Sequence, residues 1–143
     1  MTAFTIGTWN CRMALDRKRA AAEKLGCDVL VVPECSSKPA LSKEAGVSFL
    51  WKRGRFSSKG RGVFGFRGWR LEPVKEATPL PWVLPVRVFD PAGSEAALLL
   101  AIWTIQNKEE RWPSYSAQVG AALDAWEREI RTERVILAGG PLG

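Results

Sequence analysis

The chain has 143 residues, which suits a single domain (residues 1–143) with a hydrophobic core of its own. A hydrophobic share of 46% excludes a disordered chain, and no apolar run approaches the roughly 20 residues that cross a bilayer. The formal net charge of +6 favours a phosphate-bearing partner. The absence of histidine removes the commonest general base and transition-metal ligand, so any chemistry must use other side chains or a bound metal.

The first part of the chain predicts two parallel strands that each end in a polar residue. Residues 4–9 form an apolar strand that runs into Asn10, and residues 29–33 form a second one that runs into Glu34. A helix over about residues 17–25 fits between them. Such βαβ units are right-handed, and open α/β sheets bind ligands beyond the carboxyl ends of their strands. We therefore expect Asn10 and Glu34 to lie side by side at a candidate site.

The next segment predicts a strand and a hairpin. Residues 47–51 have the composition of a strand. Residues 62–66 and 69–74 are two further strands, separated by Arg67-Gly68, and this spacing predicts that they pair as a hairpin across that turn.

The following strands are separated by a clear turn. Residues 82–89 alternate between apolar and other residues, but Pro85 predicts an edge strand or a bulged one. Asp90-Pro91-Ala92-Gly93 is a strong turn signal, and it leads into a buried apolar strand at 96–103.

The last part of the chain predicts one long helix over about residues 114–131 and a strand at 135–138. The whole order favours an α/β fold, a mixed β-sheet with helices on one face. Two helices cover only one face, so the other face would expose apolar residues, and we expect a homodimer to close it. The residues of that expected interface are Val29, Val31, Leu98, Leu100, Ile102 and Ile136.

Basic residues cluster around a glycine- and serine-rich segment at 52–62, and they could bind phosphate groups. The other interpretation is a solvated, charged loop. Arg12, close to Asn10, makes the same region more positive. The proposed phosphate-binding residues are Arg53, Arg55, Lys59 and Arg61.

Two cysteines directly follow the polar residues at the strand ends. Cys11 follows Asn10 and Cys35 follows Glu34, so a thiolate favoured by the nearby Arg12 could act as a nucleophile. The alternative is that both are small packing residues. Three cysteines without a regular spacing, together with an N-terminus that lacks a signal-peptide pattern, predict a cytoplasmic protein.

The motifs and their order resemble the endonuclease/exonuclease/phosphatase superfamily, which has the deoxyribonuclease-I-like fold. The resemblance starts at Thr8-Trp9-Asn10 and at residues 28–34, and continues in the Gly-Val strand at 62–64 and the apolar strand at 98–103. Residues 135–139 approach the strand that ends in Gly-Asp-Phe-Asn in that family. The resemblance covers the whole chain but only the first half of a family domain. It implies half of a four-layer α/β sandwich, which we expect dimerisation to complete.

The chain also departs from the family pattern. Gly140 and Leu142 stand where the family has its Asp and Asn, and the strand that ends at Thr104 lacks the His often found there. The later family segment with an Asp-His pair is absent. Only Asn10 and Glu34 of the usual catalytic set can therefore be carried over.

The resemblance implies that Asn10 and Glu34 help to hold a divalent metal ion. Hard oxygen ligands favour Mg²⁺ or Mn²⁺, which keep several waters and bind substrate phosphate. A solvated loop carboxylate is the alternative for Glu34. Two protein ligands make a weak site unless a second subunit contributes.

Two classes of function follow. The first is hydrolysis of a phosphodiester or related phosphoester, with Asn10, Glu34, Arg12 and Cys35 as catalytic residues and a small molecule or nucleic acid as substrate. The alternative is a non-catalytic module that binds phosphate or nucleic acid and descends from such an enzyme. A truncated fragment is a third possibility.

Overall fold

The computed structural model describes residues 3–10, 24–53, 60–77, 79–104 and 114–141. Across these ranges the chain forms eight strands in two four-stranded sheets, with two α-helices and a short 3₁₀ turn at Ala40–Lys43. The strands are β1 (Ile6–Thr8), β2 (Val29–Cys35), β3 (Ser48–Arg53), β4 (Gly60–Gly65), β5 (Arg70–Pro73), β6 (Val83–Phe89), β7 (Glu95–Thr104) and β8 (Val135–Pro141). The helices are α1 (Tyr115–Ala125) and α2 (Glu127–Thr132).

The first sheet has the strand order β1-β2-β4-β3. Strands β1 and β2 are parallel neighbours, with Ile6 opposite Val29 and Thr8 opposite Val31, so the predicted pairing is confirmed. The other pairs of this sheet are antiparallel. The helix predicted over about residues 17–25 lies almost entirely outside the described residues.

The second sheet has the strand order β5-β6-β7-β8. Its first two pairs are antiparallel, and β7 and β8 are parallel, with Leu98 opposite Val135. A parallel pair needs a crossover connection, and α1 and α2 lie in the segment that joins β7 to β8. Both sheets are therefore mixed, and the predicted α/β class is confirmed.

The strands form two facing sheets rather than one, because the apolar faces of the two sheets pack against each other. Val29, Val31 and Val63 of the first sheet share one core with Leu99 and Trp103 of the second, and all five are fully buried. The chain thus covers for itself the sheet face that was expected to need a partner. The homodimer stays a prediction, but an uncovered face no longer supports it.

The helices cover the outer face of the second sheet. Ala122 and Trp126 pack with Leu98, Leu100 and Ile102 of β7. The predicted single helix is interrupted at Trp126, whose backbone (φ −113°, ψ 19°) is not helical. The Trp126 side chain at this interruption is buried in the cluster with β7. No helix among the described residues is long and apolar enough to cross a membrane. The cytoplasmic location stays a prediction.

The hairpin predicted across Arg67-Gly68 is wrong. Strand β4 pairs with β2 and β3, whereas β5 pairs with β6 in the other sheet. Arg67 (φ 51°) and Gly68 (φ 87°) do form a tight turn, but this turn carries the chain from one sheet to the other. Local turn chemistry cannot tell these two outcomes apart, because both need the same backbone conformation.

Strand β6 is an interior strand despite Pro85. Strand β5 pairs with the residues of β6 from Val86 to Phe89. Pro85 lies beyond the end of β5, so it needs no hydrogen bond on the side of β6 that faces β5. Pro85 pairs with Leu100 of β7 on the other side, and the register shifts between Val88 and Phe89. The extra residue at this shift is Ala96 of β7, so the predicted edge position and the predicted bulge of β6 are both wrong.

Gly139 holds β8 close to β7. Its φ is 144°, a backbone angle that residues with a side chain rarely adopt. A Cβ at this position would collide with the carbonyl oxygen of Ile102. Its neighbour Gly140 has open space around the position of a Cβ. The two glycines offer a matched comparison.

We expect Gly139→Ala to lower the free energy of unfolding by about 2 to 4 kcal/mol, because it combines backbone strain with a clash against fixed backbone. Gly140→Ala should change it by less than about 0.5 kcal/mol. Urea unfolding followed by tryptophan fluorescence measures both. Equal effects of the two substitutions would contradict this account of Gly139.

Candidate functional site

Asn10 and Glu34 follow neighbouring parallel strands at one end of the first sheet. The last pair of β1 and β2 is Thr8 with Val31, and the Trp9 amide still donates to the Val31 carbonyl at 3.0 Å. Asn10 is exposed and Glu34 is half-buried. The strands therefore bring both polar residues to the same sheet end, as the βαβ pattern predicted.

A β-bulge lies at Glu34. Val32 is opposite Gly62 and Cys35 is opposite Gly60, so Pro33 and Glu34 together face the single residue Arg61 of β4. A bulge turns the side chains that follow it towards the other face of the sheet, and bulges are common next to active sites. The sequence carried no signal for it, because a bulge is set by the pairing of two distant strands.

Arg61 is buried between the two sheets at this end. Only 2% of its surface is exposed, and it lies in strand β4 rather than in the predicted loop. One of its terminal nitrogens donates to the Pro81 carbonyl at 2.5 Å, and its guanidinium carbon lies 5.2 Å from the centre of the Trp103 ring. Burial lowers the pKa of Arg61 to about 10. This contact also shows that the ends of β2 and β7 lie at the same end of the sandwich.

Two buried donors at this contact have no hydrogen-bond partner among the described residues. They are Nε of Arg61 and Nε1 of Trp103. Arg61 likewise forms no ion pair with a described Asp or Glu. A buried guanidinium without a carboxylate partner costs stability, so the sequence places a positive charge below the candidate site at an energetic cost.

Lys52 ties the first sheet to the second next to Arg61. Its ammonium group is 3.1 Å from Glu76 and donates to the carbonyls of Leu80 (3.0 Å) and Val83 (2.7 Å). Lys52 pairs with Arg61 across β3 and β4. The two cations therefore hold the segment that leads into β6 against the candidate site.

Of the remaining basic residues that were predicted to bind phosphate, one lies in the described part of the chain and the others do not. Arg53 is exposed at the end of β3, opposite Gly60, which is in turn opposite Cys35. It therefore stands two strands away from the bulge, at the same sheet end. Arg12, Arg55 and Lys59, as well as Cys11, lie outside the described residues.

The described cysteines are buried. Cys35 is 1% exposed, and its sulfur is so close to β4 that a Cβ at Gly62 would lie 2.6 Å from it. Burial raises the pKa of the Cys27 thiol, which lies next to Gly7. Both placements favour the packing interpretation. The nucleophilic role of Cys35 stays a prediction.

The end of β8 brings glycine, not a carboxylate, to this region. Gly140 pairs with Trp103 and Pro141 with Thr104, so the position where the family has Asp adjoins the Arg61–Trp103 contact. Leu142 lies outside the described residues. Over the described ranges, no group of three or more His, Cys, Asp and Glu side chains could hold a metal ion.

A pocket of about 360 Å³, which no motif of the sequence predicted, lies beside β8. Its lining is mostly apolar and comes from the ends of β7 and β8 and from the start of α1. In the sequence, Tyr115 and the pair Gly139-Gly140 are the features that could have indicated this pocket. Its main lining residues are Ile102, Thr104, Tyr115, Val119, Leu137 and Gly140.

We expect Lys52→Met to lower the free energy of unfolding by about 2 to 4 kcal/mol, because the Leu80 and Val83 carbonyls and the Glu76 carboxylate lose their donor. Lys75→Met is the matched control. Lys75 is exposed, and its replacement should cost less than about 0.5 kcal/mol. Urea unfolding of the two variants measures the difference in the free energy of unfolding. If Lys52→Met is as stable as the control, the hydrogen bonds of Lys52 do not stabilise the contact between the sheets.

The fold is that of the endonuclease/exonuclease/phosphatase superfamily. Solved structures of this superfamily match about 95% of the chain, so the resemblance seen in the sequence is confirmed for the fold. A scan against protein-family models gives no match, and a search of the curated proteins gives none.

Three solved structures illustrate the similarity. Truncated TDP2 from Caenorhabditis elegans has a TM-score of 0.67 at 15% identity over 95% of this chain and 61% of its own. The endonuclease domain of TRAS1, a telomere-specific non-LTR retrotransposon, has a TM-score of 0.61 at 14% identity over 96% of this chain and 58% of its own. The mannosyl-6-phosphatase of Bacteroides thetaiotaomicron has a TM-score of 0.63 at 13% identity over 96% and 64%. The chain therefore spans only about half to two thirds of each of these matched chains.

Proposed function

We propose that this chain is a phosphoester hydrolase whose site lies where β1 and β2 end, with Asn10 and Glu34 as its central residues. The observation that carries the proposal is the parallel pairing of β1 with β2, which brings these residues to one sheet end. The fold supports it, because the solved structures that share it include an endonuclease domain and a phosphatase. A phosphodiester, in a small molecule or in nucleic acid, is the proposed substrate class.

A divalent metal ion, Mg²⁺ or Mn²⁺, fits these residues. The Asn10 amide oxygen and the Glu34 carboxylate are hard donors, and neither is fully buried, so water and substrate oxygens could complete the coordination. When bound, the metal would polarise a phosphoryl oxygen and acidify a bound water. With two protein donors, we expect the metal to bind weakly without substrate.

The basic residues would bind and orient the phosphate group. Arg53 is exposed at the same sheet end and can contact a substrate directly. We assign the same role to Arg12, Arg55 and Lys59. The buried Arg61 would act differently, as a fixed positive charge below the phosphate that favours an anion at the rim. Cys35 is a weaker candidate, because a nucleophile must reach the substrate.

The second candidate function is a non-catalytic module that binds phosphate or nucleic acid. The observation that favours it is the end of β8, where Gly140 stands at the position of the family's Asp. The net charge of +6 would still attract a polyanion. Binding without turnover needs the basic residues but not a complete set of catalytic groups.

We expect Glu34→Gln to lower the turnover of bis(p-nitrophenyl) phosphate by at least about 100-fold, because it removes the only charged metal ligand of the proposed site. The control is Glu127→Gln, on the exposed face of α2, which should retain full turnover. Release of p-nitrophenol with Mn²⁺, with Mg²⁺ and with chelator measures both variants. Full activity in chelator would reject the metal-dependent mechanism.

The two candidate functions differ in one further measurement. If the wild-type chain gives no turnover yet binds single-stranded DNA with an affinity that falls steeply with salt, the binding module replaces the hydrolase. In that case Glu34→Gln should bind as well as wild type, because the lost group belongs to the metal and not to the phosphate contacts.

A further inference from the structure

Arg61 carries a positive charge into the space between the two sheets. Val63, two residues further along β4, packs in the core between the sheets, so the side chain of Arg61 points to the same face. Its guanidinium lies over the ring of Trp103, and only 2% of the residue is exposed. Burial lowers the pKa of Arg61, and no carboxylate in the described ranges opposes that shift. The charge is therefore not offset by any described residue.

The buried donors at this contact lack an acceptor. Nε of Arg61 and Nε1 of Trp103 have no hydrogen-bond partner in the part of the chain that the structure describes. Buried polar atoms without a partner are rare in folded proteins, and a buried cation without one is costly. Two donors and one positive charge in the same place indicate a negatively charged group that the described residues do not supply.

Gly140 marks the place where such a group has room. It pairs with Trp103 in the parallel ladder, and paired residues of neighbouring strands point to the same face of a sheet. A side chain at Gly140 would therefore stand beside Trp103, but no described atom lies within 4 Å of the place where its Cβ would be. Neighbouring strands are about 4.8 Å apart, and the guanidinium carbon is 5.2 Å from the ring centre. A group in this space is thus roughly 10 Å from the charge of Arg61.

We propose that the space beside Gly140 binds the terminal phosphate of a phosphomonoester, which is a dianion, in preference to the singly charged phosphate of a diester. The inference rests on the proposed function, because it concerns the phosphate group at the same site. At roughly 10 Å, a fixed unit charge strengthens the binding of each further negative charge by roughly three- to twentyfold. A monoester has that further charge and a diester does not. In diester hydrolysis the monoester is the product, so the product would compete with the substrate.

Binding of methyl phosphate and of dimethyl phosphate to the metal-free full chain tests the proposal at constant ionic strength. At about pH 8 methyl phosphate is a dianion, because its second pKa is about 6, whereas dimethyl phosphate keeps a single charge. The rise of the thermal unfolding midpoint with ligand concentration gives each dissociation constant. Wild type should bind methyl phosphate at least about fivefold more tightly than dimethyl phosphate.

Gly140→Asp and Gly140→Asn are a matched pair, because the two side chains have nearly the same size and differ in charge. The Asp carboxylate would stand beside Trp103 and offset the charge of Arg61, so the preference for methyl phosphate should fall below about twofold. Gly140→Asn should keep the preference of wild type. Without any ligand, Gly140→Asp should also unfold at a higher urea concentration than Gly140→Asn, because it gives the buried cation a counter-charge.

Arg61→Met removes the charge itself and should lower the preference for methyl phosphate as Gly140→Asp does. Its control is Arg70→Met, which removes the same charge from an exposed side chain on β5 and should leave the preference unchanged.

Equal affinities of wild type for the two ligands would overturn the proposal, and so would a preference that persists in Gly140→Asp or is lost in Arg70→Met. The outcome is separate from that of the proposed function. A preference for methyl phosphate without turnover of bis(p-nitrophenyl) phosphate would reject the hydrolase and support this inference, whereas turnover with equal affinities would do the reverse.

Discussion

The apolar contact between the two sheets is the constraint on which the rest of the structure depends. Strands β2 and β7 are buried along almost their whole length, so neither has a face that can meet water. At about 25 cal/mol per Å² of buried apolar surface, this contact is the main source of stability. It also relates the strands of one sheet to those of the other, because Val31 and Val63 share one core with Leu99 and Trp103.

The candidate site lies where this core ends. The burial of polar groups at this position lowers the stability of the fold. Arg61 is buried over Trp103 with one carbonyl partner, while Lys52 has two carbonyls and a carboxylate. Among the described residues this guanidinium has no carboxylate partner, and a buried charge without one is costly. Its position opposite the bulge at Glu34 suits a site that binds anions. Among the described strands, the same packing leaves β1 and β8 as the outermost strands of their sheets.

Much of the fold could be predicted from the sequence, because strands and turns leave local patterns. The βαβ pattern gave the parallel neighbours β1 and β2, and with them the sheet end that holds Asn10 and Glu34. The turn at 90–93 and the buried strand that follows it are also present. The likeness to the superfamily was visible because its motifs keep their order over the whole chain, even at 13 to 18% identity to the solved structures.

The sequence by itself determined which segments form strands, although not the residues at which most of them begin and end, and it determined which polar residues follow the first two strands. Only the tertiary structure decided that the strands divide into two sheets at Arg67-Gly68, since one turn conformation serves both a hairpin and a crossing between sheets. It also decided the bulge at Glu34 and the burial of Arg61. These features depend on pairing between residues far apart in the chain, and a local pattern of residue types contains no information about which distant strand lies opposite.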